Sequence, residues 1–164
     1  MNRDVPRRKN LHLQHYDYSQ PGFYFLTICT YHHRSLFGTV VDGIMQLDNA
    51  GKMVDQHWKA LTKKFENLDL HEHVVMPNHV HGIIEINAPN PDVPLSRIVQ
   101  WFKTITTNAY IRGVKNEHWP PFRYRFWQRN YYEHVIRNDD SLREISEYIC
   151  TNPLRWHLDR YYTL

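Results

Sequence analysis

Cysteine is nearly missing from this chain: among 164 residues only Cys29 and Cys150 occur, one in a strand-like run and one in a helix-like run. Two thiols so placed exclude both a disulfide framework and a cysteine cage around a metal, and Cys29 reads as packing. Glycine is sparse, at six residues, and none of it builds a Gly-rich loop of the kind that cradles nucleotide phosphates. No apolar run approaches the length of a membrane span, and the N-terminus has no apolar core of signal-peptide type. A soluble cytosolic protein is therefore expected. The chain also carries no internal repeat.

What is present is a globular composition, 41% hydrophobic, 14% aromatic and 23% charged with both signs mixed, at a length that suits one domain. Histidine (12) and tyrosine (11) are abundant. A net charge of +3 fits a polyanionic partner without singling one out. Residues 1–21 hold Arg3, Arg7, Arg8 and Lys9 and are broken by Pro6 and Pro21. They read as a basic N-terminal arm ahead of a single domain over 22–164.

Periodicity supplies the order of elements. "FYFLTICTY" (Phe23–Tyr31) is aromatic and β-branched, a buried strand. Asp48 and Asn49 cap a helix whose Met53, Val54, Trp58, Leu61 and Phe65 recur at helical steps. "HEHVVM" and "HVHGIIEI" form a hairpin around Pro77 and Asn78. Ser96 is expected to cap a second helix with Ile98, Val99, Phe102, Ile105 and Ala109 on one face. "NYYEHVIR" reads as a strand, and "NDDSLREISEYICTNP" as a capped helix stopped by Pro153. The resulting β-α-β-β-α-β-α order predicts an α+β fold, a ferredoxin-like or RRM-like antiparallel sheet with an additional C-terminal helix.

Within "MPNHVHG", His79 and His81 alternate with Val80, so in a strand the two imidazoles share a face at roughly 7 Å between Cβ atoms. They can converge on one divalent ion, or simply line a half-exposed strand. A two-residue turn at Pro77 and Asn78 sets Met76 opposite His79 and Val74 opposite His81, which leaves the competing pair His71 and His73 on the other face. On the last helix Tyr148 and Asn152 are one turn apart and border the stripe of Leu142, Ile145 and Ile149. Taken alone, the helix favours the plainer reading, Tyr148 as the edge of a core stripe and Asn152 as the end of a helix before Pro153.

"VVMPNHVHGIIE", "FWQRNYYEHVIRN" and "EYICTNPLRW", in this order, resemble the single-tyrosine transposases with a His-hydrophobic-His motif, including the REP-associated tyrosine transposases (IS200-like). The resemblance runs from about Tyr24 to Trp156. It implies that His79 and His81 are metal ligands, that Asn152 completes the metal shell, and that Tyr148 is the nucleophile. It further implies cleavage and rejoining of single-stranded DNA near hairpins through a 5′-phosphotyrosine and a free 3′-hydroxyl. A phenol with a pKa near 10 needs such help; Mg2+ or Mn2+ is the expected ion, and no nucleotide cofactor is required.

Single-stranded DNA is held by cations that track phosphates and aromatics that stack bases. Lys103, Arg112, Arg123, Arg125, Trp127, Arg129 and Tyr131 have that mixture, although each also suits a core or a solvated rim. The partners expected are single-stranded or hairpin DNA, with no membrane, and a cytoplasmic, nucleoid-associated location. Only 16 residues follow Tyr148, fewer than the longer tail of some relatives, so monomer or homodimer, and tyrosine acting on its own or a partner's site, stay open. The rival reading is a non-catalytic RRM-like nucleic-acid-binding module. That class stacks bases on aromatics of adjacent central strands, and "HVHGIIEI" offers none.

Overall fold

A computed structural model describes residues 12–163. Its main sheet contains β1 (Gly22–Cys29), β4 (Leu68–Met76), β5 (His79–Ile86) and β6 (Tyr132–Ile136), all neighbours antiparallel, in the order β4-β5-β1-β6. Helix α1 (Asn49–Lys59) and the short α2 (Leu61–Lys64) connect β1 to β4, and α3 (Leu95–Glu117) connects β5 to β6. Each crossover leaves a gap that another strand fills, which is the split β-α-β of a ferredoxin-like sheet. Helix α4 (Asp139–Thr151) follows β6, and a 3-10 helix over Asn152–Leu158 continues from it. The α+β fold and its C-terminal helix stand as expected.

Both central strands are buried on both faces. Tyr24, Leu26, Ile28, Val80 and Ile84 point to one side, where Val54 and Trp58 of α1 and Ile98, Val99 and Phe102 of α3 close the main core. Gly82 makes this packing possible: a Cβ there would lie 2.2 Å from the Trp58 ring. On the other side a small cluster of Phe25, Ile83, Ile136 and Ile149 fastens α4 to the sheet. The caps of α1 and α4 are side-chain carboxylate and amide oxygens: Asp48 accepts from the Gly51 amide at 2.8 Å and Asn138 from the Ser141 amide at 2.8 Å.

Four details depart from the pattern-based expectation. A second hairpin, β2 (Gly38–Val41) and β3 (Ile44–Leu47), precedes α1. Its Asp42-Gly43 turn, with both φ values positive at 50° and 75°, is the Asp-Gly signal of a tight hairpin, and was readable. The long helix expected through Phe65 breaks after Lys59. Pro94, not Ser96, is the N-cap of α3, and Ser96 lies inside the first turn. Finally, the Pro77-Asn78 turn pairs Met76 with His79 and Val74 with His81 as expected, but the ladder shifts between Leu70 and His73. The irregularity flips the parity beyond it. His73 meets Trp58 and Asp55 on the α1 face, while His71 turns to Phe23 and Glu85 on the face shared with the paired histidines.

Of the segment read as a basic arm, residues 1–11 lie outside the described residues. Part of the remainder packs against the domain: Tyr16 and Tyr18 meet Tyr24, Ser19 is buried, and the Tyr18 carbonyl accepts from the Leu95 amide at 3.1 Å.

Candidate active site

His79 and His81 leave β5 on the α4 side, 0% and 1% exposed, with ring centroids 4.4 Å apart. Val80 between them is anchored in the main core, so the strand that presents them cannot roll. The turn fixes the tautomer of the first ring. Asn78 is itself buried and donates its Nδ2 to the carbonyls of His33 (3.1 Å) and Tyr161 (2.7 Å), which turns its Oδ1 to His79 Nδ1 at 2.8 Å. An amide oxygen only accepts, so Nδ1 of His79 carries the proton and Nε2 is left as a bare lone pair. That Nε2 is buried and, among the described residues, has no hydrogen-bond partner.

His81 sits across the ladder from Thr27, whose hydroxyl lies 2.8 Å from its Nδ1. Its Nε2 faces the hydroxyl of Tyr148 at 3.4 Å. Burial holds both imidazoles far below their usual range, His81 at about 3, with His79 depressed further by His81 and His33. Both rings are therefore neutral near neutral pH, the form that can bind a cation.

Helix α4 brings in the other half. Tyr148 stands edge-on to Phe25 and against His81, still 38% exposed. Its phenol is raised above the usual value, chiefly by burial and then by Asp159, with a hydrogen bond from Asn152 and the charge of Arg160 working the other way. Asn152, 2% exposed at the C-terminal end of α4, donates Nδ2 to Asp159 at 3.1 Å, and its Oδ1 is buried without a partner among the described residues.

Asp159 is the residue that pattern reading missed. Among the described residues His79, His81 and Asp159 each offer a ligand atom, all within 4.8 Å of one another. The carboxylate is held by the Tyr161 amide at 2.8 Å, and the Tyr161 ring lies 4.7 Å from that of His79. Thr27 and Tyr161 were missed as well. Nothing in their spacing announces them, because Thr27 arrives through strand register and the other two through the 3-10 helix that folds the chain back after Pro153.

Native interiors seldom leave buried acceptors unpaired. Two imidazole nitrogens and a carboxylate oxygen within 4.8 Å of one another make a donor set of the type divalent cations take, and the orphaned Nε2 of His79 is an atom such an ion would satisfy; the other orphaned acceptor, Oδ1 of Asn152, belongs to the residue whose amide donates to Asp159.

The residues expected to touch DNA are more scattered. Arg123, Arg125 and Arg129 are exposed on the segment between α3 and β6, and Arg112 is exposed on α3. Trp127 is 4% exposed and donates its indole N–H to Thr106 at 2.9 Å. Lys103 donates to the carbonyl of Gln128 at 2.8 Å, and burial lowers its ammonium to about 8. Tyr131 is half-buried beneath it, 5.6 Å from the Lys103 nitrogen to its ring centre. Among the described residues, no helix is long and apolar enough to cross a membrane.

Known proteins resemble this chain in sequence and in fold. A Haemophilus influenzae protein of uncharacterised function is 36% identical over 180 residues, spanning 98% of this chain and 96% of its own. A candidate REP-associated tyrosine transposase of the same organism is 26% identical over 142 residues, 85% of this chain and 74% of that one. The structure of a REP-associated tyrosine transposase bound to a REP hairpin superposes with a TM-score of 0.63 at 21% identity, over 88% of this chain and 73% of that one, a likeness of fold. The family model described as "Transposase IS200 like" matches residues 46–152, a span that opens in β3 and closes on Asn152. With both histidines, the helix tyrosine and the terminal amide inside that match, the chain belongs to the IS200-like transposase family.

Proposed function

We propose that this protein cleaves and rejoins single-stranded DNA beside hairpins, with Tyr148 as the nucleophile. The observation that carries the reading is the approach of the Tyr148 hydroxyl to His81 Nε2, 3.4 Å, beside the unpaired acceptors of His79 and Asn152. In the step, the Tyr148 oxygen forms a bond to phosphorus as the bond from phosphorus to the 3′-oxygen breaks. The phenol gives up a proton and the departing 3′-oxygen gains one, so a phosphodiester is exchanged for a phosphodiester and no external energy is needed. Attack by a 3′-hydroxyl on the phosphotyrosine reverses the step and joins the strands.

Phe25 and His81 hold the Tyr148 ring from two sides, and its remaining exposure lets a strand reach the oxygen. His79, His81, Asn152 and Asp159 would hold Mg2+ or Mn2+, which when bound polarises a phosphate oxygen. Hairpin DNA, the ligand of the structural relative, is the natural partner, and a DNA partner supports work beside the chromosome in the cytoplasm. The binding-module alternative needs an open sheet face for bases; here Phe25 and Ile83 on the central strands are covered by α4.

The test is to incubate the protein with a single-stranded hairpin oligonucleotide and Mn2+ and look for a covalent adduct on a denaturing gel. The expected result is an adduct that Tyr148→Phe abolishes while DNA binding persists. An adduct that survives in Tyr148→Phe moves the nucleophile elsewhere, to Tyr131 or Tyr132; no adduct with any oligonucleotide in a broad pool refutes the strand-transfer reading.

A further inference from the structure

The segment between α3 and β6 buries its aromatics with one exception. Phe126 and Trp127 are 2% and 4% exposed, and Phe122 is half-buried, whereas Tyr124 is 90% exposed. Tyr124 is also strained. Its φ is 67°, in the left-handed region, and the Arg125 amide donates across it to the Arg123 carbonyl at 2.8 Å, closing a γ-turn of the rare hand. A tyrosine in that conformation, held out into solvent, gives up stability for a position, and such strain collects at sites that bind something.

The surroundings say what. Tyr124 stands where three cavities of about 720, 390 and 570 Å3 meet. Among the described residues, their linings include Arg34, Arg123, Arg125, Arg129 and Lys103 and not one carboxylate. The walls are fixed in advance: the Tyr31 amide donates to the Phe126 carbonyl at 2.9 Å, the Gln128 amide to the Cys29 carbonyl at 2.8 Å, and Arg34 to the Pro121 carbonyl at 3.2 Å. The largest cavity leads to the candidate active site. It shares His33, Gln128 and Asn130 with a smaller cavity whose far wall is Thr27, Arg160 and Tyr161, against the paired imidazoles.

We infer that this cationic groove is the track for the single strand that flanks the cleavage site, with Tyr124 stacking one of its bases and Arg125 and Arg129 meeting its phosphates. Rings that present an open face beside arginines are how proteins hold unpaired strands without reading their sequence. The inference rests on the proposed action on single-stranded DNA, and its test separates the two.

Binding is measured by fluorescence anisotropy in a Tyr148→Phe background, where no adduct forms, with a blunt hairpin and with the same hairpin carrying a single-stranded thymidine extension. Tyr124→Ala is expected to weaken binding of the extended hairpin about tenfold and leave the blunt hairpin unchanged, while Tyr124→Phe and Tyr124→Trp hold the parent affinity. An abasic site at one position of the extension should erase the difference between the parent and Tyr124→Ala. A change below about twofold in Tyr124→Ala, or an abasic scan with no such position, overturns the stacking role and leaves the cleavage reading standing. Failure of the parent to bind either oligonucleotide overturns both.

Discussion

On the side of the sheet covered by α1 and α3, Trp58, Tyr24, Tyr110 and Phe102 are fully buried and interlock with the aliphatic residues of four strands. On the side covered by α4, the buried apolar cluster shrinks to Phe25, Ile83, Ile136 and Ile149, and the space beyond it goes to His79, His81, Thr27 and Asn152 beside Met76 and Cys29. Area removed from water is worth about 25 cal/mol per Å2 only where it is apolar, and a buried acceptor without a partner costs about 1–3 kcal/mol. The first face therefore supplies most of the folding free energy. The second gives some of it up to keep two lone pairs bare. Strand β5 serves both at once, since Val80, Gly82 and Ile84 face one way and His79 and His81 the other.

Substitutions on the two sides should then separate stability from chemistry. The largest effect is expected from Tyr148→Phe, complete loss of the covalent adduct, with urea unfolding shifted by less than about 0.5 kcal/mol because the side chain is a part-exposed rim group. A large loss of stability in this variant would mean that the two faces are not independent. Next comes Trp58→Ala, expected to cost about 3–5 kcal/mol in the same unfolding measurement.

His79→Leu sharpens the contrast. It removes the orphaned Nε2 but strands Asn78 Oδ1, so the unfolding free energy should change by no more than about 1 kcal/mol, while calorimetry should show Mn2+ binding lost. Asp159→Asn is milder, since the amide retains shape and one oxygen; Mn2+ affinity is expected to fall about tenfold or more. Unchanged affinity would make Asp159 only an orienter of Asn152. The smallest effect is on Tyr124→Gly, which relaxes a left-handed φ and should raise stability by about 1 kcal/mol, visible as a higher Tm.

The hairpin bearing the two histidines was legible because its cause is local. Proline and asparagine set a two-residue turn, the turn sets the register, and the register puts His79 and His81 opposite Met76 and Val74. Tyr148 and Asn152 were legible in the same way, through helical spacing beside Leu142, Ile145 and Ile149. His71 escaped because a single shift in the ladder reverses faces, and the pattern of "HEHVV" carries no mark of where the extra residue goes. Trp127 and Lys103 also have internal partners that a list of residues does not reveal: the indole finds Thr106 and the ammonium finds loop carbonyls. Composition records no such partners, because they come from elements distant in the chain.

The amino-acid sequence by itself determined which groups could share a face: imidazoles two apart in a strand, a phenol and an amide one turn apart in a helix. Those relations follow from backbone geometry within a few residues. Only the tertiary structure decided that α4 lies over β5, that Thr27 and Asn78 orient the rings, and that Asp159 returns to join them. Such meetings depend on the summed burial of distant apolar surfaces, and no short stretch of chain records that sum.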